Sequence, residues 1–269
     1  MFSISLRIEI EFDFPRRIVM SGHSKWATIK HKKAKTDVAR GKAFSKLIKE
    51  ITTAARTGGG DPDANPRLRT AVESAKAINM PADNIERAIK KGTGELPGVT
   101  YEEVTYEGYG PGGVAIMVKS LTDNKNRSTA AVRHVFDKYG GSMGTAGCVS
   151  WQFKPRGLIV IPKDKASEDA VLNAALEAGA DDVQADDAGY SVVTAIDSFE
   201  AVKQKLKENG IEWLSAELTQ IASNTVPVSE KNAPKVLRLM EMLEDLDEVQ
   251  QVYANFDIPD EVLDKVSGA

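Results

Sequence analysis

Between Ser21 and Lys35 the chain reads Ser-Gly-His-Ser-Lys-Trp-Ala-Thr-Ile-Lys-His-Lys-Lys-Ala-Lys. Lys25, Lys30, Lys32, Lys33 and Lys35 are interleaved with His23, Trp26 and His31. Ammonium groups at this density neutralise phosphates and release counterions, which gives salt-dependent affinity for a polyanion. An aromatic ring among them can stack on an exposed base; Trp26 fits a core anchor for the arm equally well. A basic run alone is also compatible with a solvated face. It gains weight from Arg40, Lys42, Lys46, Lys49, Arg67, Arg69, Lys76, Arg87, Lys90 and Lys91, which follow within the same stretch. Arg127 and Arg133, with Lys138, form a smaller group that either extends a binding face or is an ordinary charged helix surface.

Other chemistries find little support. Gly22-His-Ser-Lys-Trp26 lacks the second glycine of a nucleophile elbow and has no strand before it. Gly108-Tyr-Gly-Pro-Gly-Gly113 lacks the Gly-Lys-Ser/Thr ending of a phosphate loop and reads as a tight turn. His134 has no cysteine or metal-spaced partner nearby, so it reads as a surface or satisfied histidine. Glu241, Glu244, Asp245, Asp247 and Glu248 read as a solvated acidic face, not a metal site. The single cysteine, Cys148, excludes an intramolecular disulfide and any multi-cysteine metal site. These observations point to no catalytic residues, no metal, no cofactor and no small-molecule substrate.

The elements that must carry the cations come next. With 269 residues, 42% hydrophobic and 28% charged, the chain is long enough for two or three domains with real cores. Its net charge of −4 hides an asymmetry. Ser21–Lys91 carries 16 Lys/Arg against 7 Asp/Glu, whereas 92–269 carries 16 against 29. A basic module joined to an acidic body attracts polyanions at one end and repels them at the other. No apolar run approaches the roughly 18–20 residues that span a bilayer, and a reducing cytoplasm suits the cysteine usage. The first 19 residues hold Glu9, Glu11 and Asp13 in a would-be apolar stretch, unlike a secretory signal. They read as an upstream or vector-derived extension with Met20 as the natural start, or else as an extra edge strand.

Phe44, Leu47, Ile48, Ile51 and Ala55 follow helical spacing in Lys42–Arg56, with Lys42, Lys46, Lys49 and Arg56 on the other side. Thr57–Pro62 breaks that helix. Asn65 and Pro66 open a second, Pro81 opens a third, and Gly92 is expected to stop it. Gly94 to Thr100 reads as a linker. Strands are expected at Glu103–Tyr109, Val114–Leu121 and Cys148–Phe153, with a helix at Asn126–Tyr139. From Gly157 to Ile221 the order is β-α-β-β-α-β, the ferredoxin-like pattern. Helix Ala233–Leu246 and strand Val249–Asn255 would complete the sheet begun at Glu103. The expected class is α+β with three domains: 20–98 helical and basic, 99–155 with 222–269 discontinuous, and 156–221 inserted.

Several long motifs carry a family resemblance. Met20–Lys35, Gly58-Gly-Gly-Asp-Pro62, Asn65-Pro-Arg-Leu-Arg69, Asn79–Gly92, Tyr106–Gly113, Leu121–Arg127 and Val149-Ser-Trp-Gln-Phe153 together resemble the YebC/PmpR family. The resemblance implies a helical N-terminal domain and two ferredoxin-like α/β sandwich domains, without enzymatic activity or cofactor. Bacterial members are described as DNA-binding transcriptional regulators. Mitochondrial relatives are translational activators, and some bacterial members resemble ribosome-associated factors. The expected partner is therefore DNA, with ribosomal or transfer RNA, and the ribosome itself, as the alternative. The cations are mostly lysine, which suits phosphate contact better than bidentate base reading.

Overall fold

The computed structural model describes residues 37–186, 189–259 and 262. The arm residues Lys25, Trp26, Lys30, His31, Lys32, Lys33 and Lys35, and the segment 1–19, lie outside the described residues.

Three helices form the N-terminal module: α1 (Asp37–Gly58), α2 (Pro66–Ala77) and α3 (Ala82–Thr93). Their apolar faces meet around Ile51, Leu68, Ala75, Ile85 and Ala88. Asn65 caps α2: its side-chain oxygen accepts from the Leu68 N–H at 3.1 Å. Its amide nitrogen donates to the carbonyls of Ala54 and Gly59, both at 2.9 Å, and so ties α2 to the end of α1. Gly92 does not terminate α3. It lies inside the helix at the crossing with α1, where an added Cβ would sit 2.5 Å from the Thr52 carbonyl. The stop falls at Gly94, whose φ of 85° suits a residue without a side chain.

The first sheet has the order β3-β1-β2-β9, all neighbours antiparallel. Its strands are β1 (Glu102–Tyr109), β2 (Ala115–Thr122), β3 (Ser142–Met143) and β9 (Val249–Ala254). Helices α4 (Lys125–Lys138) and α7 (Ala233–Glu244) cover one face. Phe136, Leu239, Met240, Ile116 and Val252 form that core. The second sheet, β5-β6-β4-β7, is also antiparallel. It comprises β4 (Phe153–Pro162), β5 (Asp182–Ala185), β6 (Gly189–Thr194) and β7 (Ser215–Ala222). With α5 (Glu168–Glu177) and α6 (Phe199–Glu208) it has the ferredoxin-like strand order. In the sequence all of it falls between β3 and β9. A parallel pair, β8 (Val226–Pro227) with β10 (Phe256–Asp257), lies beside the first sheet. The class is α+β, with a helical module and two helix-covered sheets.

Cys148–Gln152 is not a strand. Ser150–Gln152 forms a 3-10 turn, and β4 begins only at Phe153. The reason is Glu107 on β1, whose buried carboxylate accepts the backbone N–H groups of Gly147, Val149 and Ser150, each at 2.7 Å. Burial opposes the charged form of this carboxyl, but the three donors outweigh it and hold its pKa below the ordinary glutamate value. Burial and the nearby Glu107 charge push the Cys148 thiol up.

Candidate nucleic-acid interface

The lysine face of α1 does not point into solvent as a free stripe. Lys42, Lys46 and Lys49 lie at helical spacing and reach the carboxyl end of α7. Lys42 Nζ meets Asp245 Oδ1 at 2.9 Å. Lys46 Nζ donates to the Glu244 carbonyl at 2.8 Å, and Lys49 Nζ to the Asp247 carbonyl at 2.7 Å. Lys49 also sits 5.9 Å from the Tyr101 ring centroid. The last carbonyls of a helix lack intrahelical partners and carry the negative end of its dipole. Three ammoniums there join the helical module to the first sheet's helix layer.

Two arginines hold this region, Arg67 across the junction and Arg127 within the body of the first sheet. Arg67 donates to Glu50 on α1 at 2.7 Å and to Glu103 on β1 at 2.5 Å, tying α2, α1 and β1 together. The hydrogen bond to Glu50 leads in pushing its pKa further up, and burial opposes it. Arg127 pairs with Glu248 and Asp123, and these bonds raise its pKa as well. The acidic group is therefore more than a solvated face: Asp245 pairs with Lys42, Glu248 with Arg127, and Glu241 with Arg238.

Alanine at Lys42, Lys46 and Lys49 together is expected to lower stability by only about 1–2 kcal/mol. Lys42 and Asp245 are partly exposed, and such contacts contribute roughly 0.3–1 kcal/mol each. Thermal melts at low and high salt check this, the difference from the parent shrinking as salt rises.

The other cations named above divide further. Lys90 pairs with Glu86 at 2.6 Å, one turn away. Arg69 donates to the carbonyls of Pro62 and Asp63. Lys76, Arg87 and Arg133 are exposed, Lys91 is half-buried, and none of the four has an ion pair among the described residues. Arg40 lies on the first turn of α1. Arg56, the fourth cation on that side of α1, is exposed. Its backbone lies at the α1–α3 crossing, where Gly92 packs closely. That neighbourhood has no signature in either helix alone.

Among the described residues no group of three or more His, Cys, Asp or Glu is placed to hold a metal ion. No helix there is long and apolar enough to cross a membrane. His134 is exposed on α4.

Comparison with known proteins matches this architecture throughout. Residues 24–95 match the TACO1/YebC protein N-terminal domain. Residues 101–256 match the TACO1/YebC second and third domain. A probable transcriptional regulatory protein of Sulfurihydrogenibium is 57% identical over 251 residues, covering 93% of this chain and 100% of that one. One from Dictyoglomus turgidum is 58% identical over 249 residues, covering 92% and 100%. The crystal structure of a conserved hypothetical protein from Aquifex aeolicus superposes with a TM-score of 0.78 at 53% identity, covering 87% of this chain and 97% of that one. Sharing its domains, their order and over half its residues with such relatives, the chain belongs to the TACO1/YebC family.

Proposed function

We propose that this chain is a nucleic-acid-binding regulatory protein that holds its target through the basic N-terminal module. The observation that carries the reading is the charge asymmetry: 16 cations against 7 anions in Ser21–Lys91, joined to a body of opposite sign. In this reading the target is duplex DNA and the compartment the cytoplasm; relatives named probable transcriptional regulatory proteins support the regulatory role. No catalytic step is assigned. In this reading the arm residues Lys25, Lys30, Lys32, Lys33 and Lys35 make the first phosphate contacts. Arg56, Lys76, Arg87 and Lys91 extend them, while Lys42, Lys46 and Lys49 hold the module in place.

A second reading, a translation factor on RNA, is favoured by one specific feature. The cations of Ser21–Lys91 are mainly lysine, which suits phosphate contact better than bidentate base reading. Both readings predict phosphate contact by the arm. Alanine at Lys30, Lys32, Lys33 and Lys35 is expected to flatten the dependence of log K on log salt by about three to four units on duplex DNA. Binding measured between low and moderate salt tests it; an unchanged slope would show that the arm is not the contact. Crosslinking in cells separates the two targets. Recovery at promoter DNA supports the first reading, and recovery at one ribosomal RNA region supports the second.

A further inference from the structure

We propose that the contact between the lysine face of α1 and the carboxyl end of α7 is an electrostatic latch, released when a phosphodiester backbone takes the place of α7 on Lys42, Lys46 and Lys49. The proposal rests on the nucleic-acid reading given above and adds how the target gains access to these lysines.

The first observation is how little besides charge holds the two parts together. The module's apolar core is built from its own three helices. The core of the first sheet is built from its own strands and helices. Among the described residues no apolar cluster includes residues of both parts. The bonds across the junction are ionic or polar: Lys42 to the Asp245 carboxylate, Lys46 and Lys49 to the Glu244 and Asp247 carbonyls, and Arg67 to Glu103. The Asp245 and Glu103 side chains are 50% and 62% exposed, so water and salt reach these pairs and screen them. Arg67 also holds Glu50 on α1, so parting from Glu103 leaves its guanidinium paired.

The connection between the parts can absorb a turn. The Leu96 N–H donates to the Lys90 carbonyl at 3.1 Å, which ties the start of the linker to α3. Residues 97–100 are exposed and belong to no helix or strand. Short irregular segments of this kind serve as hinges.

The second observation is what occupies the lysines. Lys42, Lys46 and Lys49 span seven positions, about 10 Å of helix, a rise over which one strand of a duplex presents about three phosphates. The end of α7 offers this row one carboxylate and two carbonyls, at 2.9, 2.8 and 2.7 Å. These oxygens stand where phosphate oxygens would stand in a complex. The two occupants exclude each other. A phosphate brought to Lys42 would meet the Asp245 carboxylate, and Glu244 and Asp247 beside it add like charge. A polyanion uses this face only when the module turns away from α7, and each phosphate that lands there keeps it away. Cations outside the junction make the first contacts, and the three lysines of α1 join once the latch opens.

The test places spin labels at Ser74→Cys on α2 and Ala130→Cys on α4, both exposed positions, with Cys148→Ser removing the native thiol. The distance between them is measured in the full chain at low salt, alone and with a mixed-sequence DNA duplex or an RNA duplex of the same length. Binding is expected to add a second, displaced population, and a preference for one duplex identifies DNA or RNA as the source of the backbone. Glu103→Gln with Asp245→Asn should show that population without nucleic acid. The same pair should bind about three- to tenfold more tightly, because the competent state is already populated. Glu168→Gln with Asp169→Asn on α5 removes equal charge far from the latch and should do neither. Alanine at Lys42, Lys46 and Lys49 also frees the module, but it should weaken binding and flatten the salt slope by about two to three. Lysines that merely brace the module would leave that slope unchanged, which overturns the latch. A bound duplex with an unmoved distance overturns it too, as does equal tightening by the α5 pair. Failure of both duplexes to bind the parent removes the function proposed above and the latch with it, so the two failures are told apart.

Discussion

Replacing Gly92 by alanine is expected to destabilise the helical module by about 2–3 kcal/mol, although alanine is the better helix former. The residue is buried at the crossing of α3 with α1. A Cβ there would lie 2.5 Å from the Thr52 carbonyl, 2.7 Å from the Ala55 Cβ and 3.2 Å from the Arg56 nitrogen. Two of these three are backbone atoms, which cannot swing aside. The helices must separate, and the contacts of Ile51, Ala55 and Ala88 loosen with them. A thermal melt of the full chain should show a lower first transition, and duplex affinity should fall with it. Gly94→Ala provides the contrast. Its φ of 85° makes a side chain costly, but nothing lies within 4 Å of the new Cβ. About 1 kcal/mol is expected there, with helix packing intact. Equal effects at the two positions would mean that the close crossing is not what limits Gly92.

Glu107→Gln is expected to cost about 2–4 kcal/mol and to release the loop that carries Trp151. The carboxylate accepts three backbone N–H groups, and the Glu107 residue is only 5% exposed. An amide keeps the size, but it has one oxygen, and its NH₂ group faces donors. At least one buried N–H then loses its partner, at about 1–3 kcal/mol, and the charge assistance of the others goes too. The sign of the pH dependence follows from the direction of the shift. The folded pKa lies below the ordinary value, so folding is favoured by the ionised form. That contribution is fully present above the unfolded value of about 4.3 and is lost as pH falls through the folded one. Unfolding of the parent between pH 6 and 3, in denaturant, should lose this increment, whereas the glutamine variant should show a shallower fall. With Trp26 and Trp213 replaced by phenylalanine in both proteins, Trp151 fluorescence reports on the loop, and its emission and quenching should change in the variant at neutral pH. A variant with parent stability and unchanged emission would show that the carboxylate does not organise this loop.

Most of the secondary structure was legible from periodicity. Leu68, Ala71, Val72 and Ala75 repeat at helical spacing and are the buried face of α2. Asn65-Pro66 announced a cap because both residues act locally, through a side-chain acceptor and a fixed φ. The failures came where a local signal had a tertiary cause. Val149, Trp151 and Phe153 alternate as in a strand, which would put the indole on the same face as two apolar neighbours. Glu107, more than 40 positions away, pulls the backbone into a turn and turns the indole outward. Gly92 looked like a stop because glycine often is one; its partner surface, the backbone of α1, is 36 or more residues earlier.

The candidate interface divides along the same line. Composition alone determined that Ser21–Lys91 is cationic and the remainder anionic, because charge is a property of residue type and needs no coordinates. The ferredoxin-like run was equally readable, since each strand and helix declares its period within a few residues. Which cations are available was decided by tertiary structure. Lys42, Lys46 and Lys49 share a helix face with nothing in their own segment to mark them as occupied. They meet the end of α7 and the turn after it some 200 residues later, where Asp245 offers a carboxylate and Glu244 and Asp247 offer carbonyls near the negative end of the helix dipole. Lys138, Lys235 and Arg238 carry no shared motif, and only the packing of α4 beside α7 makes them one crevice. Ionic contacts act over a few ångströms and are indifferent to separation along the chain. Sequence therefore reports how much charge there is, and the fold reports where it is spent.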